Sequence, residues 1–531
     1  METIKNKDGL FLNMSEKRFN LILLVIILIS IFPRLISIDQ NLLDIQPFRQ
    51  TQTAITVWNY IQEGFNFFNY QTPIFGPPYQ APFELPVFQS VAFLLTKLGI
   101  SNIEVACRLT NIFFYILSAI LLTSVVSKLI NNKAVTLLSL IQYCFIPFAI
   151  CWSRNISIEY CSLAFCLFYV YLFLKIREIL GIKRYLLIAC ACIIGCLAYS
   201  IKLTTAFPFV LLISILFGLD FLKYSIPFFK EKKFFKGFFS KAFFEYCLIV
   251  IFVFLVPFLT MYLWVRHSDL LKMQSSFSYI TTSSSLREWN FGTWDDKTTI
   301  SNWFTLFNRI GFGIVPFTLL LLAIPSFLNN QLRSIQLKLV FLILLVCITL
   351  FTFFNLYFVH DYYLVAVLPF LSVCFAISFY LSQHFIQSLG VFKNVYVSSF
   401  IVIVICSFPL FLSKGMEFNK EYTRFIWTKN TDSDYPQFVL GQEIQKHTNN
   451  QDKVIFTDYE WSSELLYCAK RKGLMWTYEN EKEINRFEKD LKRCNYKLIV
   501  SKNPNLYPNL LSKFKVLKKL TFHSHTFIFI Q

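Results

Sequence analysis

Charge is scarce in this chain. Only 15% of its 531 residues are Asp, Glu, Lys or Arg, against about 25% in an ordinary soluble domain. With 55% hydrophobic and 18% aromatic residues, that scarcity excludes a soluble multidomain protein. Acids are the rarer sign, 32 against 50 basic residues. The excess does not mark a nucleic-acid binder, because the basic residues fall in short clusters between apolar runs of about 20 residues, the length of a bilayer crossing. Histidine is limited to six, and beside His360 no second His or Cys stands at ligand spacing, so no metal site is expected there; no cofactor is expected, and a divalent metal is left open. A P-loop, a GxSxG elbow and a dinucleotide fingerprint are all lacking, which disfavours soluble-nucleotide chemistry. Cysteine is present, at 14 residues, but all except Cys468 and Cys494 lie in or at the ends of apolar segments, without zinc-finger spacing or a secreted-domain framework. Whether those two pair is left open.

What the chain has is long apolar runs. Lys5, Lys7, Lys17 and Arg18 precede a stretch over about 19–38, longer than a signal-peptide core and without a small-residue cleavage site, so it is expected to stay as an anchor. Further spans are predicted near 107–129, 134–152, 157–176, 185–200, 203–222, 244–265, 309–328, 338–357, 362–382 and 395–413, about eleven in all. Periodicity cannot separate 84–100, "ELPVFQSVAFLLTKLGI", from a twelfth. Charge can. If that segment lies along the surface, the loops holding Lys128 and Lys133, Lys175 to Arg184, six lysines from Lys223 to Lys241, and Arg333 and Lys338 all share the side of the N-terminus. The positive-inside rule makes that side cytoplasmic.

The organisation expected is therefore an all-α polytopic membrane protein. It comprises a cytoplasmic tail (1–18), a transmembrane module (19–413) with a first external loop at 39–106, and an extracytoplasmic unit (414–531) with the C-terminus outside. In the last, composition turns to Lys, Glu and Asn. "DKVIFTD" and "YKLIVSK" read as buried strands, "NEKEINRFEKDLKRC" as an amphipathic helix and "HTFIFIQ" as a closing strand, together a small α/β domain.

The polar outliers gather on the external side of this topology. Asp44 and Arg49 stand in "LLDIQPFRQTQTA" (42–54). A carboxylate so close to the first helix can act as general base toward an acceptor hydroxyl or amine, or be a solvated loop residue; the forked Arg49 suits a phosphate or a neighbouring carboxylate. Glu84 closes the proline-rich "YQTPIFGPPYQAPFELP" (70–86), a semi-rigid wall, where it binds sugar or serves structure. "CWSRNISIE" (151–159) carries Arg154 and Glu159 at helix ends, where ionisable groups are functional or paired with each other. Lys202 stands alone in the turn "YSIKLTTAFP" (199–208); it takes a substrate phosphate, or snorkels to bulk lipid. "FVHDYYLVAVLP" (358–369) sets His360, Asp361 and Tyr362 at a helix boundary.

In their order along the chain these residues resemble the GT-C fold, the polyprenyl-phosphate-dependent membrane glycosyltransferases, and within it the bacterial branch similar to protein O-mannosyltransferases and the lipid A aminoarabinose transferase. An acid soon after helix one (Asp44), a second acid after helix three (Glu159), a basic residue between helices five and six (Lys202), "HDYYLVAVLP" and "DYEWSSELLYCAKRKG" (458–473) carry the likeness, which covers most of 19–413. The resemblance implies inverting transfer of a hexosyl or pentosyl group from a polyprenyl-phosphate donor to a cell-envelope acceptor at the outer face, with no redox cofactor. It implies Asp44 as base, Glu159 as the second catalytic acid, Lys202, Arg108 and Arg49 at the donor phosphate, and Glu84, Arg154, His360, Asp361 and Tyr362 at the substrate. Two departures point away from protein mannosylation: Ile45 rather than an acid follows Asp44, and the second acid is Glu where Asp is commoner. A transporter or flippase of lipid-linked saccharides, and a polymerase or ligase of them, are the rival readings.

Overall fold

The computed structural model describes residues 14–230, 240–275, 277–428, 435–476, 485, 487–488, 490–491 and 494–531. Helix α1 (Glu16–Leu35) starts at Ser15, whose side chain accepts from the Arg18 backbone N–H, an N-cap. Phe19, Leu23, Ile27, Ser30 and Arg34 form its buried stripe, at the three- and four-residue spacing of one helix face. Leu21, Leu24, Leu28 and Phe32 point outward. Arg34 is tolerated inside the bundle because its donors reach Ser153 Oγ (2.6 Å), Cys144 O (3.0 Å) and Ser30 O, with Tyr115 under the guanidinium at 3.6 Å.

α7 (Glu159–Glu178) is deeply buried and packs against α4 (Ile103–Ile130), α8 (Ile182–Ile201) and α9 (Leu203–Lys230). Between them, the span expected at 134–152 is broken into α5 (Lys133–Phe145) and α6 (Pro147–Arg154), bent by 59°. Pro147 forces the residue before it out of the helical region, and Ile146 is extended at φ −66°, ψ 140°. A second break lies at Pro316, itself extended at φ −53°, ψ 123°, where Ile300–Gly313 and Phe317–Leu328 meet at 84°. Among the described residues eight helices are long and apolar enough to cross a membrane, ten if each bent pair is one span. The eleventh expected span, 395–413, is the apolar helix Val395–Phe411, whose 17 residues cover about 25 Å and stand at the short limit for a crossing.

The first loop is more helical than its polarity suggests. α2 (Pro47–Glu63) has Pro47 at its first position and is buried continuously from Gln50 to Tyr60; Ala54, Val57, Trp58 and Ile61 share one helix face, but too many polar residues surround them for the segment to read as a span. α3 (Val87–Lys97) has 11 residues, about 16 Å, too short to cross, in line with a surface segment at 84–100. Farther on, the helix Arg333–Thr352 ends where Phe353 leaves helical geometry. The chain then passes through Phe354–Val359, an extended His360 and a 3₁₀ turn Asp361–Ala366 before the helix Leu368–Ser388.

The helix Ser413–Trp427 packs on α6, so the sheet-bearing unit opens after it, with helix Pro436–His447. Strands β1 (Lys453–Thr457), β2 (Lys472–Trp476), β3 (Tyr496–Ser501), β4 (Val516–Phe522) and β5 (His525–Ile530) lie in the order β2-β1-β3-β5-β4. The first three are parallel, and β5 is antiparallel to both its neighbours. β1, β3 and β5 are the strands the sequence predicts. β4 escapes that reading because it is an exposed edge carrying Lys518 and Lys519. β2 escapes because it contains Gly473, where a Cβ would stand 2.0 Å from Val454 O; the glycine is required by this approach of two backbones. The helix expected over 480–494 falls largely outside the described residues; of those described, 485, 487–488 and 490–491 are helical and Cys494 is not. Cys468 and Cys494 are not joined by a disulfide.

The outer edge of β2 is covered by the first loop. Gly473 N donates to Pro73 O (3.1 Å), Met475 N to Ile74 O (2.9 Å), and Gly76 N to Gly473 O (3.1 Å). The proline-rich segment thus satisfies an edge that would otherwise be open, and it ties the sheet to the membrane bundle.

Candidate functional site

The ends of α4, α6, α7, α8 and α9 nearest the sheet, with α2 and the 361–366 turn, bring most of the polar outliers together. Two groups form, joined by Gln50. In the first, Asp44 faces Arg108 (Oδ2 to Nη2, 3.6 Å), with 1% and 0% of their side chains exposed. Gln50 Nε2 donates to Asp44 Oδ1, and Gln40 Nε2 to Oδ2 at 3.4 Å. Arg108 also donates to Ile38 O (3.0 Å), Gln40 O and Asn41 O (3.0 Å). Arg108 is thus a clamp on the turn after α1, and it offers no open face to a phosphate. Asp44, expected as the base, has partners on both oxygens. Gln50 Oε1 accepts from Ile156 N (3.1 Å) and so bridges the first loop to the turn that leads into Glu159.

In the second group Lys202 donates to Glu159 Oε1. Its ammonium lies 4.4 Å from the ring centre of Tyr363 and 5.5 Å from that of Tyr362. Glu159 Oε2 is buried without a hydrogen-bond partner among the described residues. Arg49 reaches Gln52 Oε1 at 2.5 Å and Glu84 Oε2 at 3.8 Å, while Glu84 Oε1 accepts from Gln89 (2.7 Å). Burial works against the Arg49 charge, but Glu84, Tyr362, Glu159 and Tyr363 outweigh it and raise the guanidinium above its ordinary pKa. Arg49 and Lys202 are 17% and 10% exposed and Glu84 9%, while Glu159 behind Lys202 is closed to solvent at 1%.

The other expected residues divide. His360 stacks on Tyr362 (5.2 Å between ring centres). Burial first, then Arg49, Arg309 and Lys202, press its pKa down to about 4, so the ring is neutral. Asp361 turns away and accepts from Tyr422 in the helix 413–427. Arg154 donates to Phe425 O (2.9 Å) and Ile426 O (3.1 Å), capping the end of that same helix; the alternative of an Arg154–Glu159 pair is not formed, because Glu159 has Lys202.

Residues the sequence did not single out complete the surface. Trp461, on the loop after β1, stacks near Phe75 and Phe83 (5.9 and 6.3 Å) and meets Phe48 edge-on at 4.6 Å. Ser463 fixes that loop through Thr51 Oγ1 (2.7 Å) and Phe48 O (3.2 Å). Phe48 and Phe83 are chain neighbours of Arg49 and Glu84, so an aromatic wall flanks that ion pair. Lys272 lies 4.6 Å from the Phe83 ring centre. Trp461 is some 410 residues from Phe48 in sequence, and only "DYEWSSELLYCAKRKG" hinted at it. No cluster of His, Cys, Asp or Glu able to hold a metal occurs among the described residues.

No family model matches the chain, and no curated protein matches it. Solved structures do. ArnT from Cupriavidus metallidurans bound to undecaprenyl phosphate superposes with a TM-score of 0.57 at 10% identity, over 97% of this chain and 98% of that one. This is the GT-C fold. The oligosaccharyltransferase of Archaeoglobus fulgidus in its apo form gives a TM-score of 0.56 at 10% identity, over 92% of this chain and 70% of that one. The archaeal oligosaccharyltransferase AglB from the same organism, in complex with an inhibitory peptide and a dolichol-phosphate, gives 0.54 at 10% identity, over 94% and 70%. In this GT-C chain the first loop and the sheet unit are joined through the edge of β2, and the cluster described above lies at the end of the bundle they cover.

Proposed function

We propose that this protein is a glycosyltransferase that moves a sugar from a polyprenyl-phosphate donor to a cell-envelope acceptor, at the outer face of the membrane and with inversion. The observation that carries this reading is the Lys202–Glu159 pair under Tyr363, beside Arg49, at the end of the bundle next to the sheet unit. Two cations at accessible surface suit a phosphate that stays at the bilayer while its prenyl chain lies in lipid. The neighbours in fold include one solved with undecaprenyl phosphate and one with a dolichol-phosphate, which supports the same class of donor here.

The reaction assigned to this geometry is a displacement. The acceptor oxygen or nitrogen attacks the anomeric carbon, the bond from that carbon to the phosphate oxygen breaks, the acceptor proton passes to a carboxylate, and polyprenyl phosphate leaves with Lys202 and Arg49 opposite its charge. Glu159 is the better placed carboxylate, since Oε2 has no partner and Oε1 is released when Lys202 turns to the phosphate. Asp44, held by Gln50, Gln40 and Arg108, is a fixed charge that positions the first loop. Phe48, Phe83 and Trp461 supply a flat apolar surface beside Arg49 and Glu84 for a sugar ring.

Mass spectrometry of lipid-linked sugars and cell-surface glycans, with and without this protein, tests the proposal. Loss of one surface glycan together with accumulation of a polyprenyl-phosphate sugar is the expected result. Unchanged glycans with an altered distribution of donor between leaflets would replace it by a transporter.

A further inference from the structure

A second polar cavity lies at the opposite end of the bundle. α7 begins at Glu159 in the candidate site and ends at Glu178 in this cavity, a helix of 20 residues, so the two are about 30 Å apart along the helix, the thickness of a bilayer core. The cavity holds about 610 Å³, a size suited to a small ligand. Its floor is apolar, with Leu174, Phe217 and Ile249, and its rim carries Lys128, Arg177, Arg184 and Lys223 with the acids Glu178 and Asp220.

The rim has more positive charge than its own acids can neutralise. Glu178 is shared by Lys128 (2.7 Å) and Lys175 (3.7 Å), Asp220 takes Arg177 (2.5 Å), and Glu245 takes Arg184 (2.6 Å). Lys223 is exposed and forms no ion pair among the described residues. Three carboxylates thus face five cations. Arg184 is 15% exposed, and its Nε is buried without a partner. A buried donor without an acceptor is costly, and the excess charge favours an anion. Tyr224 and Tyr246 close one side, with rings suited to the level of the headgroups.

We propose that this cavity is a binding site for a phosphate group, that of an anionic glycerophospholipid of the leaflet opposite the candidate active site. The phosphate sits among Lys223, Arg184 and Lys128, and the glycerol and the start of the acyl chains lie over Leu174, Phe217 and Ile249. Basic pockets between membrane helices bind anionic headgroups in this manner. The site is separate from the glycosyl-transfer reading and does not depend on it.

The test uses the purified full-length protein in neutral detergent, with lipid retention followed by native mass spectrometry and stability by thermal melting. The probes are phosphatidylglycerol, phosphatidylcholine and inorganic phosphate. Phosphatidylglycerol is expected to be retained and to raise the melting temperature. Its affinity is expected to fall about tenfold in Lys223→Gln, the scale of one charge-assisted contact, and further in Lys223→Gln/Lys128→Gln, while phosphatidylcholine behaves alike in all three proteins. Lys223 has no ion pair to lose among the described residues, so this variant is expected to keep the fold. If inorganic phosphate alone gives the full stabilisation and the variants abolish it, the phosphate site stands and its source is a soluble anion. Equal phosphatidylglycerol retention by wild type and both variants, or equal retention of phosphatidylcholine and phosphatidylglycerol by the wild type, would overturn the proposal.

Discussion

Lys202 and Glu159 form an ion pair almost closed to solvent, with 10% and 1% of their side chains exposed, and the ring of Tyr363 lies 4.4 Å from the ammonium. A cation held by an acid and an aromatic face is poised rather than consumed, because a phosphate dianion offers it a stronger partner than one carboxylate does.

Lys202→Met is therefore expected to weaken binding of polyprenyl phosphate by roughly ten- to a hundred-fold, from the ~1.5–3 kcal/mol of a hydrogen bond to a charged group. Titration of the lipid phosphate into purified protein measures it. Since the single variant leaves Glu159 buried and unpaired, Lys202→Met/Glu159→Gln serves as the neutral control, and unchanged affinity in both would remove Lys202 from the donor site.

Turnover separates the two early acids. Glu159→Gln keeps the shape and removes the base, so the rate is expected to fall by ~10²–10⁴-fold, measured at a temperature well below the variant's own melting transition because the change also breaks the pair with Lys202. A Glu159→Gln enzyme with ordinary turnover, beside an inactive but stably folded Asp44→Asn, would return the role of base to Asp44.

Stability is where Asp44 should be felt most. Its carboxylate and Arg108 are a buried pair, and removing one partner of such a pair costs about 3–5 kcal/mol. Asp44→Asn is expected to lower the melting temperature clearly, and Asp44→Asn/Arg108→Gln to lose less than the two single changes added together. Strict additivity would show that the pair is not coupled.

His360 links stability to pH. Its pKa is lowered to about 4 by burial and by Arg49, Arg309 and Lys202, against about 6.5 in the unfolded chain. Between those values the unfolded state binds a proton that the folded state refuses, so the stability His360 contributes is complete above pH 6.5 and is lost as pH falls toward 4. His360→Asn lacks this loss. The melting temperature of wild type should drop relative to His360→Asn between pH 7 and pH 4.5, and a constant difference would contradict the shift.

Trp461→Ala removes the ring shared by Phe48, Phe75 and Phe83. An aromatic contact contributes about 0.5–1.5 kcal/mol beyond its area, so kcat/KM for the glycosyl donor is expected to fall several-fold or more, with polyprenyl phosphate binding unchanged. Equal losses in both would make Trp461 a packing residue only.

Much of this protein is legible in one dimension. Apolar runs such as 19–38 and 203–222 are local, and water's exclusion from a bilayer makes length and hydropathy sufficient to place a helix; the short β-branched and aromatic apolar runs "VIF" and "FIFI" likewise mark β1 and β5. The residues that look costly beside a membrane, Arg49, Glu84, Glu159, Lys202 and Tyr362, are the ones that meet in the candidate site, because a charge kept near lipid has to have a partner. Which partner it takes is a matter of three dimensions. Glu159 is five residues from Arg154 but pairs with Lys202, 43 residues on, because α7 and the α8–α9 turn pack together while Arg154 lies at the end of α6 under helix 413–427. Asp44 changes from an open loop acid to a clamped one because Arg108, at the start of α4, holds the turn around it. α2 is buried because α3, α4 and the sheet unit all pack on it, and Trp461 meets Phe48 where the first loop lies along the edge of β2. Chain-local chemistry determined which segments enter the membrane and which residues are out of place there; packing between segments hundreds of residues apart decided which of those residues remain free to act.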